Sequence, residues 1–303
     1  MKSGRVLLAL SILTRLGVIL LLCGLALLPA YNNYKLAYNN SRLVELDSGK
    51  TARKSYELAD TFFSKFGEPA EVARTNGGMT WSIRILGVPF TDPVAALSIL
   101  SRGKVPALGF LLGLIVPMSL AFLFGRVFCA YICPASLLFF SIGRLRMFLS
   151  KWFLLPDITL DRGVAWGILA GGLVTAELLG HGIWILILPY FAIGQTLFHA
   201  IAMGTVSMTL IAILVFSTLD LLLGRNFTCR NLCPTGRLLG AAGQKSYFAV
   251  QRDAPKCLAT CNICTETCPM NTNPKQDDVR DCTACGECLV ACPAKCLSIR
   301  PRQ

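Results

Sequence analysis

Long uncharged apolar stretches are the feature that most limits the folds open to this sequence. Val105–Gly125 holds 21 residues without a charge, and a helix of that length reaches about 31 Å, the thickness of a bilayer core. Between Arg162 and Asp220 the only charged residue is Glu177. Because that region is too long for one crossing, we expect the chain to fold back near Pro189. The pattern predicts membrane spans at about 105–125, 163–186 and 203–223.

A fourth span is predicted at the N-terminus. The apolar run 11–30 is long enough to cross a bilayer, with Arg15 snorkelling to its inner edge. Lys2 and Arg5 ahead of the run also fit a secretory signal peptide. Since the run ends without a small-x-small cleavage pattern, we favour an uncleaved transmembrane anchor at 1–30.

Composition and loop charge support a membrane location. Apolar residues make up 54% of the chain and charged residues 15%, which excludes a wholly soluble protein. The net charge of +12 suits loops that face anionic lipid, and no motif indicates nucleic acid as a partner. Segment 126–162 has five Lys or Arg, whereas the turn between the last two spans has none. The positive-inside rule therefore predicts a multi-pass protein of the bacterial inner membrane, with both termini in the cytoplasm.

The polar segment 31–104 is predicted to form a small α+β subdomain on the periplasmic side. It has ten Lys or Arg and seven acids, a mixture unsuited to lipid. Ser48–Gly67 has apolar residues at helical steps, and Trp81, Ile83 and Ile85 alternate as in a strand.

Eight cysteines between residues 257 and 292 form two consecutive runs, each ending in Cys-Pro. Three cysteines of such a run bind one 4Fe-4S cluster, and the fourth crosses to the other cluster, as in bacterial ferredoxins. Histidine-containing zinc sites are excluded, because both histidines lie far from these cysteines in the sequence. We therefore predict a cytoplasmic double ferredoxin domain at 246–303. One cluster is assigned to Cys257, Cys261, Cys264 and Cys292, and the second to Cys282, Cys285, Cys288 and Cys268.

The first run carries one extra residue after Cys257, which is expected to change the potential or exposure of its cluster. Zinc or disulfides are the alternatives for these thiols. Cys296 has no ligand role in the pattern and is interpreted as a packing residue, as is Cys23 in the first span.

A second repeat lies at the cytoplasmic ends of two predicted spans, within a membrane domain at 105–245. Gly125-Arg126 precedes Cys129-x3-Cys133-Pro134, and Gly224-Arg225 precedes Cys229-x3-Cys233-Pro234. A helix start after each proline, with an arginine nearby, would favour thiolates. The four thiols could converge on a third redox or metal site, the alternatives being surface thiols or disulfides.

Charged and ionisable residues within the predicted spans suggest a proton-handling site. Glu177 and His181 are one turn apart near the outer surface and form the predicted quinol and proton site, with His199 and Tyr190 as further candidates. The alternatives are an interfacial pair facing headgroups or, for the histidines, haem ligation. Asp220 is expected to pair with Arg225 or Arg126.

Together these features resemble the ferredoxin-type membrane proteins of periplasmic nitrate reductase systems (NapH-like). Relatives found with methylamine utilisation (MauN-like) and the membrane half of the nitrous-oxide reductase regulator look similar. The likeness covers about residues 80–303 and includes the heptapeptide 87–93, Gly-Val-Pro-Phe-Thr-Asp-Pro. Segment 32–76 is longer than the outer loop expected in the nitrate-system members, which favours a dedicated external partner.

The resemblance implies electron transfer between the quinone pool, or a cytoplasmic donor, and a periplasmic redox enzyme or ferredoxin-type partner. The chain would then be an electron-transfer component, such as a quinol dehydrogenase subunit. Two other roles stay open from the sequence: a maturation factor for an exported redox enzyme, and a redox sensor. Only 23 residues separate Cys233 from Cys257, so the ferredoxin domain is expected to lie against the inner membrane face.

Overall fold

The computed structural model describes residues 2–38, 41–67, 71–72, 75–161, 163–258, 260–276 and 281–302, and it is mostly helical. The longer helices are α1 (Lys2–Tyr38), α2 (Ser41–Phe63), α3 (Pro93–Ser101), α5 (Ile115–Phe124), α7 (Ala135–Leu149), α8 (Gly163–Leu179), α10 (Pro189–Phe198), α11 (Thr209–Leu222) and α12 (Pro234–Ala242). Five short helices complete this set: α4 (Leu108–Leu112), α6 (Val127–Tyr131), α9 (Trp184–Ile187), α13 (Ile263–Thr267) and α14 (Glu287–Ala291).

Within the described residues, one helix is long and apolar enough to cross a bilayer, Gly4–Asn32 with 29 residues. Three shorter apolar helices lie within the other predicted spans: Leu108–Phe124, Gly163–Leu179 and Thr209–Leu222. The helix in the span predicted at 163–186 ends at Leu179, because the chain turns at Gly180, which has a φ of 91°. Absence of charge therefore overestimates helix length, because apolar turns are uncharged too. The four-span arrangement stays a prediction.

The helices pack around a core centred on Trp184. Its side chain is fully buried, and its indole Nε1 donates a hydrogen bond to Ser98 Oγ at 3.0 Å. Gly172 of α8 lies against the ring, where an added Cβ would come within 2.7 Å of the indole. A glycine is required at this point of contact, because a larger residue would push α8 away from the indole.

The segment after α1 folds back onto that helix. Gly49 (φ 84°) interrupts α2, and Phe63 from its second half packs against Leu28 and Tyr31 of α1. A three-stranded antiparallel sheet follows, with strand order β1 (Gly77–Met79), β2 (Ser82–Ile85) and β3 (Val88–Thr91).

The sheet leads directly into α3. Asp92 caps this helix, its Oδ1 accepting hydrogen bonds from the backbone N–H of Val94 at 2.7 Å and of Ala95 at 3.3 Å. The cap fixes the chain where it passes from the sheet into the helical region.

The cysteine-rich tail is enclosed by two antiparallel strands, β4 (Phe248–Arg252) and β5 (Leu297–Pro301), with Val250 opposite Ile299. The first and last strands of the tail thereby bring both cysteine runs together, with α13 packed on α14. Gly4 at the start of α1 lies against Leu289 of α14, so the tail contacts the N-terminal helix.

Candidate iron-sulfur centres

The tail holds two cavities lined by thiols, which we name sites A and B. Site A is lined by Cys257, Cys261, Cys264 and Cys292. Site B is lined by Cys268, Cys282, Cys285 and Cys288, and Cys264 lies at its edge. These are the two sets that the ferredoxin run predicts, with Cys268 and Cys292 each crossing to the cavity of the other run.

The thiol sets fit iron-sulfur clusters. All fourteen cysteines lie in the described part of the chain, and each is a free thiol. Within that same part, no three His, Cys, Asp or Glu side chains come close enough to share one metal ion. Thiols spaced around a cavity suit a cluster with several irons better than a single ion.

Burial disfavours the thiolate form of the site B cysteines unless a cation is bound nearby. It raises the pKa of Cys282 to about 12 and that of Cys285 to about 11. Without a metal, these groups would be neutral thiols at neutral pH, and bound iron would hold them as thiolates by displacing their protons.

Site A differs in two respects. Leu258, directly after Cys257, is 55% exposed, and its carbonyl accepts a hydrogen bond from Lys275 Nζ at 3.2 Å. The fifth thiol of the cavity, Cys296, is buried with its Sγ 3.6 Å from the Sγ of Cys292. Cys296 was predicted to be a packing residue; its contact with Cys292 was not predicted, although the four-residue spacing between the two cysteines was a usable signal.

We name the thiols of the two Cys-x3-Cys-Pro motifs site C: Cys129, Cys133, Cys229 and Cys233. Both motifs close in the same wide turn, with the Cys133 N–H donating to the Phe128 carbonyl at 3.0 Å and the Cys233 N–H to the Thr228 carbonyl at 2.9 Å. The hydrogen bond is common to both copies, although it follows an α-helix (Val127–Tyr131) in the first motif and closes a π-helix (Thr228–Leu232) in the second.

The four thiols of site C influence one another. Burial raises the pKa of Cys133, and the neighbouring Cys129 and Cys233 raise it further. Burial also raises the pKa of Cys233 to about 12, although the backbone of Gly236 and the charge of Arg126 lower it. The expected thiolates are thus not supplied by arginine and helix starts alone, because desolvation is the larger effect.

Arg126 binds the tail as well as site C. It is 1% exposed, with Nη1 3.0 Å from Asp281 Oδ1 and Nη2 donating to the Cys229 carbonyl at 3.0 Å. Its own N–H donates to the carbonyl of Cys282 at 3.3 Å. One buried side chain and its backbone therefore connect site C to site B.

Arg225 makes the equivalent connection from the second motif. Its Nη2 lies 2.6 Å from Glu287 Oε2, and its Nη1 donates to the Thr267 carbonyl at 2.6 Å. Glu287 and Thr267, the two partners of Arg225, each immediately precede a cysteine of site B, as Asp281 does. These arginine contacts with the tail were not predicted from the sequence, in which the repeated Gly-Arg dipeptide was the available signal.

These contacts correct two expectations. Asp220 pairs with neither arginine: its Oδ1 accepts a hydrogen bond from the Thr228 N–H at 2.7 Å. Arg15 does not snorkel to the membrane edge, because it is 4% exposed and donates to the carbonyl of Ala130. Each side chain finds one partner inside the protein, while Asp220 Oδ2 and Arg15 Nη1 are buried without a hydrogen-bond partner among the described residues.

The structure describes only some of the side chains predicted to form the quinol site. Glu177 is exposed, and the side chain of His181 lies outside the described residues. Gln195 Nε2 and His199 Nε2 are 2.9 Å apart, and Tyr190 is buried with its hydroxyl 3.0 Å from Thr235 Oγ1. The pairing of Glu177 with His181 stays a prediction.

Comparison with known proteins shows which protein family this chain resembles. A family model described as a 4Fe-4S binding domain matches residues 106–153 and 203–246, the two segments that contain site C. The chain is 30% identical to the ferredoxin-type protein NapH of Escherichia coli over 240 residues, covering 75% of this chain and 80% of the relative.

Two methylamine utilisation ferredoxin-type proteins MauN are also similar. The protein of Methylorubrum extorquens is 34% identical over 62% of this chain and 63% of its own length. That of Methylobacillus flagellatus is 30% identical over 66% of this chain and 68% of its own. No solved structure matches the chain. With its two thiol-lined tail cavities and these relatives, the chain belongs to the NapH and MauN family of ferredoxin-type proteins.

Proposed function

We propose that this chain is a membrane-bound iron-sulfur protein that transfers electrons between the quinone pool, or a cytoplasmic donor, and a periplasmic redox partner. Sites A and B would each hold a 4Fe-4S cluster, which takes up and releases single electrons when bound. The protein would lie in the inner membrane with four spans and both termini in the cytoplasm, as the charge distribution predicts.

The observation that carries this proposal is a shared wall between sites B and C. Cys129 and Cys229 of site C line one cavity together with Cys285 of site B. Arg126 and Arg225 hold the loops of site B against the same region. Redox centres in these positions would be close neighbours, as a relay requires.

The buried surroundings of the thiols suit electron transfer without loss to solvent. Cys133, Cys233 and Cys288 are each at most 9% exposed. An apolar, nearly dry environment also influences the reduction potential of a bound cluster. The chain's part in the function is thus to hold the thiols, exclude water and fix the spacing between sites.

A third centre at site C is part of the proposal. Its support is the family model for a 4Fe-4S binding domain, which covers both Cys-x3-Cys-Pro motifs, together with the mutual influence of the four thiols. Four neighbouring thiols, two of them buried and two partly buried, would bind a metal centre as thiolates.

The test uses the full-length protein, purified without oxygen and placed in lipid nanodiscs. A soluble hydroquinone is added and the absorbance and paramagnetic signals of the clusters are followed. We expect reduction by the hydroquinone in the wild type, and the Cys129→Ser variant should lose this response while dithionite still reduces its tail clusters. Clusters that respond to dithionite but never to hydroquinone would contradict the quinone link.

The same preparation separates electron transfer from the other two roles. A relay passes many electrons per molecule, so an added acceptor should be reduced well beyond the amount of protein present. A sensor would stop after one reduction. If Cys129→Ser abolished the activity of a co-expressed redox partner with electron flow unchanged, the maturation role would be favoured.

A further inference from the structure

An apolar cavity of about 200 Å³ lies between the sheet and the helices, apart from the thiol sites. Val18 and Leu21 of α1 and Val116 and Leu120 of α5 form part of its wall. Most of the remaining wall is also hydrophobic. Such a lining disfavours water and suits a ligand with an apolar body.

Three polar atoms in this wall have no hydrogen-bond partner in the described part of the chain. They are Thr80 Oγ1, Thr91 Oγ1 and Asp92 Oδ2, all three buried. Thr91 and Asp92 as residues are 3% and 7% exposed. Since buried polar atoms are normally paired, three in one cavity indicate a ligand that supplies the missing partners.

The geometry at Asp92 shows why one oxygen is left over. Its Oδ1 is occupied by the two backbone N–H groups that begin α3, from Val94 and Ala95. The second oxygen, Oδ2, is not used by the cap, and the side-chain hydroxyls of Tyr190 and Thr235 in the same wall lie close enough to interact with this carboxyl. A carboxylate oxygen in this position is a strong acceptor for a hydroxyl group.

The cavity also touches the segments that hold site C. Phe128, Ile132 and Pro134 in its wall flank Cys129 and Cys133. Thr235, two residues after Cys233, completes this side of the cavity. A redox-active ligand here would lie next to the site C thiols.

We propose that this cavity binds the ring of a hydroquinone or quinone, with the ring oxygens hydrogen-bonded to Asp92, Thr91 and Thr80. The proposal rests on the quinone link of the proposed function and gives it a site. Leu21 and Val116, each 37% exposed, line the cavity and face outward, so the apolar tail of such a ligand has an exit between α1 and α5.

The experiment measures binding separately from electron flow. Heptyl-hydroxyquinoline N-oxide, a fluorescent hydroquinone analogue, is titrated into full-length protein in nanodiscs, and its quenching gives a dissociation constant. The test variants are Thr91→Val and Asp92→Asn. Valine removes a hydroxyl that has no partner, and asparagine can still cap α3, so both variants should fold.

We expect each test variant to weaken binding about tenfold, since each loses one buried hydrogen bond to the ligand. Leu120→Trp, which fills the cavity, should abolish binding. Thr218→Val is the matched control, because its hydroxyl is exposed on α11 and donates to Leu214 of the same helix. The control should bind as the wild type does, and dithionite should reduce the clusters of every variant equally.

Wild-type binding that is unchanged in Thr91→Val and Asp92→Asn would overturn the site while leaving the quinone link intact. Loss of binding in Glu177→Gln alone would overturn it too, in favour of the site predicted near the outer surface. If the wild type neither binds the analogue nor responds to hydroquinone, the quinone link itself fails, and this inference fails with it.

Discussion

Sites A and B repeat one pattern of four cysteines in two different environments. The loops of site B are held by Arg126 and Arg225, and Tyr131 donates to the Ala284 carbonyl at 3.1 Å. Site A has Leu258, exposed at its edge, and a fifth thiol nearby. A duplicated ligand pattern therefore does not give duplicated surroundings: site B lies against site C, whereas site A has an exposed edge at Leu258.

Local acid-base chemistry separates the two sites in the same way. Burial raises the pKa of Cys282 and Cys285 at site B. At Cys292 of site A, burial also raises the thiol pKa, but hydrogen bonds from Cys296 and from the backbone of Ala294 and Lys295 outweigh it, and the pKa lies below its usual value. Hydrogen bonds to a cluster thiolate influence potential, so the two centres should differ in potential.

The largest effect should come from removing one ligand at each site. Cys285→Ser should abolish hydroquinone-driven reduction of the remaining tail cluster, because Cys285 lines the cavity shared with site C. Cys261→Ser is the matched change at site A and should leave reduction of the site B cluster unchanged. Stopped-flow absorbance after hydroquinone addition measures both. Equal effects of the two variants would show that the sites are not in series.

A second test concerns the connection between Arg126 and the tail. Asp281 lies 3.0 Å from Arg126 and 3.2 Å from Arg237, and Arg126 is buried. Asp281→Asn removes the negative charge and should cost roughly 3–5 kcal/mol of docking stability, as breaking a buried ion pair does. Hydrogen exchange in 246–303 should then increase, and normal protection would show that Asp281 does not hold the tail in place.

A smaller effect is expected at Glu287, which is 5% exposed and pairs with Arg225. Glu287→Gln keeps one acceptor but loses the charge, which should cost about 1–2 kcal/mol, because Glu287 pairs with one arginine whereas Asp281 pairs with two. Chemical denaturation of the iron-loaded protein, followed by loss of cluster absorbance, measures this difference. A loss as large as that of Asp281→Asn would mean that both arginines contribute equally.

The smallest change in stability is expected at an exposed ion pair of the tail that contacts neither Arg126 nor Arg225. Lys256 is 70% exposed and pairs with Asp253 at 2.7 Å. Lys256→Ala should change stability by less than about 0.5 kcal/mol, because exposed ion pairs contribute little. The same denaturation assay applies, and a change comparable to that of Glu287→Gln would remove the distinction between the two ion pairs.

The ferredoxin run names the thiols found around each tail cavity, because ligand runs of this kind are local in sequence, and cluster ligation by these thiols stays a prediction. Uncharged stretches of sequence predicted where apolar helices lie. They placed the end of the helix that begins at Gly163 too late, because the turn at Gly180 is uncharged as well. Membership of the NapH and MauN family, suggested by the same motifs, is confirmed by the relatives.

Contacts between distant segments were beyond sequence reasoning. Arg126 and Asp281 are 155 residues apart, and nothing in either motif specifies the pairing. Asp92-Pro93 is readable as a helix start, yet an oxygen left without a partner becomes visible only when the surrounding wall is known. Pairing over such distances depends on how helices pack, which residue patterns constrain only weakly.

The most direct test of the account is the metal and sulfide content of full-length protein purified from membranes without oxygen. Iron, acid-labile sulfide and zinc are measured per chain on one sample. Three 4Fe-4S centres at sites A, B and C predict about twelve irons with an equal amount of sulfide. About eight irons would contradict a cluster at site C, and zinc without sulfide would contradict the account as a whole.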